Sequence, residues 1–413
     1  MKLFADSALS FIFERPDALA REAAWTSFLA SGLPTTSDEV WRYAPLSELD
    51  MERFDVTRAP SKAVESDFAA QLCSRSGLVV RVVDGFLEPS EATLDGVRVR
   101  SLDGATTLAG GTALDRYEND SFAVLNLALA PVTTVLEVAD DVDVQQPVVI
   151  LYSATGTSSF SRTHLRLGRS SSVTVVEYFE GGAGALVVPL SEYEIGDNAA
   201  LRLVTYQRLD SSAWHVARTT GLLRRDSRLS QAVIGMGGHY NRSRNDAELL
   251  DLGGENELRT TFLGSGHQVH DFRTHQFHKA GRTRSTLLSK GAVADESRSV
   301  YTGLIEIEKG AKRTDARQTN HNLLLSPHAH ADSVPNLDIR ENDVMCAHAS
   351  SVGPLDELQR WYLESRGITR ADAERLMIQG FFNEMLTTLP IELAELVERD
   401  VTSALASLNV VAP

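Results

Sequence analysis

Turn-forming residues recur along the middle of this chain at an almost constant interval. Gly168, Gly196, Arg224, Gly253, Gly281 and Gly310 each close an apolar or alternating stretch, and their successive separations are 28, 28, 29, 28 and 29 residues. Five residues after each, a new strand-like run is under way, at Val173, Leu201, Leu229, Leu258 and Thr286, with the more polar Asp315 in the sixth place. A fixed period of this size marks a solenoid, in which one unit buries its apolar face only by stacking on the next. The runs are short, they alternate, and Gly, Asp and Ser separate them, so the unit is built of strands rather than helices. The expected core is a β-helix. An antiparallel sandwich would be equally rich in strands, but nothing in it makes turns return at a fixed interval.

The two ends of the chain have a different texture. Between Ala8 and Ala30 the residues Leu9, Ile12, Phe13, Leu19, Ala23, Trp25 and Leu29 fall at mixed helical spacing, broken at Pro16. The spacing predicts a short helix and a longer one, the second ended by Gly32 and Pro34. Ser37 is placed to cap a further turn, and Trp41 and Tyr43 are expected to pack a small helical lobe. Residues 60–120 hold short β-like pieces such as Gly77-Leu-Val-Val-Arg-Val-Val83 among polar linkers and read as a connecting region; strand texture begins at about Leu125. After Cys346, Leu355, Leu358, Trp361 and Tyr362 sit at helical spacing ahead of Gly367. Thr369-Arg-Ala-Asp372 has the form of a capping box, and another helix is expected after Pro390. The expected fold is therefore mostly β, a β-helix core flanked by N-terminal and C-terminal helical regions. Its expected divisions are 1–120, 121–345 and 346–413.

Composition narrows the function. With 413 residues, 43% of them hydrophobic, the chain has ordinary globular make-up. Lys plus Arg number 40 against 56 Asp plus Glu, a net charge of −16, which disfavours binding to nucleic-acid phosphates. Cys73 and Cys346 are the only cysteines, so one chain cannot supply a four-thiolate metal site, and the pattern suits a reducing cytoplasm. No run of about 18 apolar residues indicates a membrane span.

Two places invite a metal reading. His267, His270, His275 and His278 lie in one stretch, but on a strand His270 and His278 face one way and His267 and His275 the other. Bonds to solenoid turns or to an interface suit them better than convergence on one ion. Farther on, Cys346 and His348 are two apart. In an extended segment that spacing puts a soft thiolate and an imidazole on one face, where both could bind iron or another soft metal. No phosphate-binding loop and no Gly-x-Ser-x-Gly turn occurs in the sequence, so neither an ATP site nor an ordinary hydrolase triad is expected. The acids Asp246, Glu248, Asp251, Glu255 and Glu257 leave open a different class, a β-helix enzyme acting on polysaccharide.

Several linked motifs carry a family resemblance. They are Trp41-Arg-Tyr43-x-Pro-Leu46, Gly266-His-Gln-Val-His-Asp271, Ser289-Lys-Gly291, Thr314-Asp-Ala-Arg-Gln-Thr-Asn320, Asn322-Leu-Leu-Leu-Ser326, Pro335-Asn-Leu-Asp-Ile339, Asp343-Val-Met-Cys-Ala-His348, Val352-Gly353, Ser365-Arg-Gly-Ile368 and Gly380-Phe381. Together they resemble the SufB/SufD family of scaffolds that assemble iron–sulfur clusters, and His321, where SufB chains carry a cysteine, makes this chain similar to the SufD branch. The resemblance implies a right-handed parallel β-helix and a non-catalytic scaffold subunit. It implies pairing with SufB through the β-helices, and with the ATPase SufC through C-terminal helices that include Leu358, Trp361, Tyr362, Leu376 and Phe381. A homodimer in isolation is also compatible. It further implies that His348, with Cys346 as neighbour, helps hold a transient iron–sulfur cluster shared with SufB. One chain with so few thiols cannot enclose such a cluster, so a shared site fits the shortage. A purely structural partner without cluster ligands is the remaining alternative.

Overall fold

The structure is a computed structural model that describes residues 2–90, 92–103, 113–386 and 389–407. Its centre is a β-solenoid of two facing sheets, one of 10 strands and one of 11 among the described residues, parallel except where Phe86–Leu87 and Val97–Leu102 pair antiparallel at their starting ends. Each turn of the chain adds one strand to each sheet. In the first sheet Ala200 lies over Ser172, Arg228 over Ala200, Glu255 over Arg228, Arg284 over Glu255, Asp315 over Arg284 and Met345 over Asp315. The structural period follows the spacing of the turns in the sequence and lengthens toward the end.

The turn glycines owe their identity to this stacking. A Cβ on Gly168 would sit 2.6 Å from the Asp140 backbone nitrogen, and one on Gly196 2.6 Å from the Leu167 carbonyl oxygen. The turn backbone of one rung thus rests directly on its neighbour, and only glycine leaves room. The sharp reversal itself falls on nearby residues with positive φ, Ser170, Asn198 and Asp226.

Two segments differ from the sequence expectation. Leu78–Val83 pairs in parallel with Val148–Ala154, so part of the supposed connecting region is an early strand of the solenoid. Ser121–Leu129, inside the stretch read as the start of the strands, is a helix capped by the Asp120 side chain, and eight of its nine residues are buried. A segment apolar on every side has no period by which a strand and a buried helix can be told apart.

Helices cover the outer faces. α1 (Lys2–Phe13), α2 (Ala18–Ser31), α3 (Asp67–Cys73), α4 (Ala113–Tyr117) and α5 (Ser121–Leu129) precede the long strands, and α6 (Glu357–Ser365), α7 (Arg370–Leu386) and α8 (Ile391–Ser407) follow them. Phe4, Phe11, Trp25 and Phe28 of α1 and α2 form one core with α5, Trp41 and the outward side chains Val216, Trp214 and Tyr240 of the 11-stranded sheet. Trp41 is buried there, and the Arg242 guanidinium lies 3.8 Å over its ring while pairing with Asp271 at 2.5 Å. On the opposite face, α7 and α8 pack with α3 against Tyr178, Val204, Tyr206, Ile234 and Leu263 of the 10-stranded sheet. Lys290 fixes α7 to that sheet, bonding Glu384 at 2.5 Å and the Phe381 carbonyl at 3.2 Å. Among the described residues, no helix is long and apolar enough to cross a membrane.

Candidate functional site

The helices lie on the faces and leave the last rung of the solenoid open. His330–Ile339 ends the 11-stranded sheet and Met345–Gly353 ends the 10-stranded one; beyond them, no strand pairs with either among the described residues. Two rows of backbone donors and acceptors therefore face outward, the arrangement that templates pairing with another chain. The lumen is open as well. Ile305 and Ile307 are fully buried, yet their successors one rung on, Leu337 and Ile339, are 37% and 41% exposed. Val352 opposite is 42% exposed. A solenoid that finished its own fold would place a polar cap here.

Cys346 and His348 belong to this last strand. They lie over Ala316 and Gln318, both of which point into the lumen, so the two side chains share the inward face as their spacing predicted. Helix begins only at Glu357, so both residues sit inside the final rung rather than at the start of the helical lobe. Cys346 is half-buried at the edge of the cluster formed by Ile305, Ile307, Ala311 and Ala316. Burial, with the nearby Asp315 carboxylate, pushes its thiol pKa up, which disfavours the thiolate form. His348 is exposed. Beside it, Ser350 donates to Ser333 at 2.7 Å across the lumen and closes the opening part-way along.

The other candidates sort by the same parity. His270 and His278 are fully buried in the lumen; His270 meets Asn241 at 3.2 Å, and His278 bonds Thr283 at 2.8 Å and Ser285 at 2.9 Å. Burial lowers the pKa of each to about 4, so both are neutral. His275 faces outward to Glu306 at 3.0 Å, and His267 lies 3.5 Å from Glu296 in a turn. These four do not converge. His321 also faces outward and bonds Ser351 at 2.5 Å. Among the acids considered for glycan chemistry, Asp246 pairs with Arg218 and Arg244, Glu248 with Arg116 and Lys279, and Glu257 with Arg259. Burial would raise the pKa of Asp246, but its two arginines outweigh that and hold it low, the reverse of what a general acid needs.

Of the helical residues singled out, Leu358, Trp361, Tyr362 and Leu376 are 77%, 65%, 54% and 48% exposed, an apolar patch on α6 and α7. Phe381 instead turns toward the solenoid, with the Lys290 ammonium 4.9 Å from its ring centre, and packs with the core under α7.

Comparison with known proteins bears on this end of the molecule. Residues 150–381 match the family model described as SUF system FeS cluster assembly, SufBD core domain, and the matched span includes the whole open rung. This chain belongs to the SufBD family. It is 32% identical to the iron–sulfur cluster assembly protein SufD of Bacillus subtilis over 297 residues, covering 69% of this chain and 68% of that one. To SufD of Escherichia coli it is 30% identical over 372 residues, covering 87% and 86%. The chain is thus a SufD-like member of a family of iron–sulfur cluster assembly proteins.

Sequence reasoning found the cysteine–histidine pair but missed the floor beneath it. Gln318, Asn320 and Asn322 point into the lumen one rung below and are buried. They stand in the quoted motif Thr314–Asn320 and just after it. Both faces of that strand are polar, however, so alternation gives no sign of which residues turn inward.

Proposed function

We propose that this chain is a non-catalytic scaffold subunit that presents the open rung of its solenoid to a SufB-type sister subunit, with the nascent iron–sulfur cluster carried as cargo at the junction. The observation that carries this reading is the unfinished lumen, where His348 and Cys346 lie among exposed apolar side chains and two unpaired strand edges. An imidazole and a half-buried thiol are too few donors to enclose a cluster, and thiolates from the sister subunit complete the set. Incomplete ligation from either side keeps the cargo transferable. In isolation the same end serves a homodimer.

The exposed patch Leu358, Trp361, Tyr362 and Leu376 is the dock for the ATPase SufC, which works in the cytoplasm with this subunit. α7 is tied through Arg259 and Lys290 to strands Glu255–Gly264 and Arg284–Val293, close to the open rung. Movement of docked ATPase subunits is thereby passed to the junction, a hinge-type gating. In this division of labour the region 1–120 braces both faces, α1 and α2 on the 11-stranded sheet and α3 on the 10-stranded one, while 121–345 form the scaffold core and 346–413 link the cargo end to the ATPase.

The test is His348→Ala in the assembled complex. In-cell cluster formation is expected to fall while the complex still assembles; unchanged cluster formation removes His348 from the site.

A further inference from the structure

α6 lies on the molecule with its faces reversed. Leu358, Trp361 and Tyr362 form a stripe along one side of the helix and point to solvent, while Arg360, about half a turn round from them, has a side chain only 15% exposed. A surface helix ordinarily buries its apolar stripe and leaves the arginine head in water. None of the nine residues of α6 is buried, so little apolar packing holds it in place. Its main neighbour is α7, and the ion pair that joins the two helices runs from Arg360 Nη1 to Glu374 Oε1 at 3.5 Å. The other carboxylate that Arg360 meets, Glu357 at 3.6 Å, is on α6 itself and ties nothing across.

Glu374 is 3% exposed and is also bonded by Arg370, one turn back on α7, at 3.0 Å. A carboxylate so far out of water must be paired, and Arg370 meets that need from within its own helix. The arginine from α6 is therefore surplus to the stability of α7. It matters for α6, which hangs between two pivots: Leu355, buried just before the helix, and Gly367, with a φ of 86° just after it. We propose that Glu374 is the positioning residue of the dock: through Arg360 it clamps α6 to α7 and fixes the angle at which Leu358, Trp361 and Tyr362 stand beside Leu376. A patch drawn from two helices has one shape only while the angle between them is held. The ion pair supplies that hold because the apolar side chains of α6, which would otherwise supply it, are kept free for the partner. The inference rests on the reading of this patch as the dock for the ATPase, but the clamp exists without the ATPase and is tested without it.

The experiment is a spin-label distance measurement on the full chain, with labels on Gln359→Cys in α6 and Asn383→Cys in α7, both exposed positions, in a background of Cys73→Ala and Cys346→Ala. The otherwise native chain should give one narrow distance. Arg360→Met, which leaves Glu374 its bond to Arg370, should broaden or shift that distance and weaken binding of SufC roughly tenfold or more, while Arg360→Lys, which keeps the cation, should hold both near native. A folded Arg360→Met chain that keeps the narrow distance overturns the clamp, whatever the ATPase does. A changed distance beside unchanged SufC binding overturns the positioning role if Leu358→Ala with Trp361→Ala does weaken binding; if that double variant also binds normally, the dock reading fails and the inference falls with it. Should Arg360→Met not fold, guanidinium NMR of the native chain decides: separate Nη signals for Arg360, the mark of a group held in place, support the clamp, and a single averaged signal refutes it.

Discussion

Ile339→Lys separates the role of the open rung in association from any role in the fold. Leu337, Ile339 and Val352 retain exposures of 37%, 41% and 42%. Fully burying an aliphatic side chain of this size is worth about 1.5–3 kcal/mol, so covering the remainder of all three contributes roughly 2–4 kcal/mol to pairing, and Ile339 about a third of that. Lysine forfeits that share and brings an ammonium that must lose water or escape along the rim. At about 1.4 kcal/mol per tenfold, binding to the sister subunit should weaken at least tenfold. The folded chain should lose no more than about 1–2 kcal/mol, because only a little over half of the Ile339 side chain is covered in the single subunit and the lysine stem keeps part of that cover. Ile307→Ala, the same ladder position one rung earlier and fully buried, should instead lower stability by about 2–5 kcal/mol. Titration calorimetry with the sister subunit and urea unfolding of each variant give both numbers. Affinity within twofold of the native chain, or destabilisation by Ile339→Lys as large as by Ile307→Ala, would refute the reasoning.

Trp361→Ala together with Leu358→Ala should abolish co-purification with the ATPase and leave the unfolding midpoint in place, since both side chains are exposed; undiminished capture would count against the patch as a dock. Acid should destabilise the fold before ordinary carboxylates titrate. Burial lowers His164, His215, His270 and His278 to about 4, so unfolding takes up protons as pH falls from about 6.5 to 4, whereas buried Glu177 and Glu180, raised by desolvation, oppose the trend with two groups against four. The four imidazoles alone set a limiting slope of about 5 kcal/mol per pH unit, and a urea midpoint that stays level between pH 7 and 5 would contradict it. Gly291→Ala should lower stability by about 1–3 kcal/mol or more, because a Cβ there runs into the Phe262 ring inside the lumen; an unfolding temperature unchanged within a degree would show that the ring has another place to go.

The stack was legible because its turns are chemically costly to vary: residues such as Gly168 and Gly196 are pressed against the rung below, so the period is written in the residue type. Its beginning was hidden. The early strand Leu78–Val83 finds its neighbour Val148–Ala154 at an offset of 70 positions (Leu78 with Val148), across a stretch that includes α4 and α5, and no local spacing carries that information. The pair Cys346 and His348 was visible since a two-residue step on a strand fixes a shared face. What lies under it was not, because Ala316, Gln318, Asn320 and Asn322 face inward while Asp315, Arg317, Thr319 and His321 face outward, and neither set is apolar enough to reveal the lumen. That the helices cover the faces and spare the end depends on distant contacts such as Lys290 with Glu384.

Because neighbouring strands of the long stack run parallel and follow one another in the sequence, a ribosome releases the rungs in the order in which they stack. Every unfinished nascent chain therefore displays a provisional tip with the same hunger for a neighbour as the mature one, but without the cysteine and histidine that arrive with the last strand. On the proposed function, a prematurely terminated product would seat itself against a sister subunit without the residues that hold the cargo, acting as a poison in the assembly rather than as a mere loss.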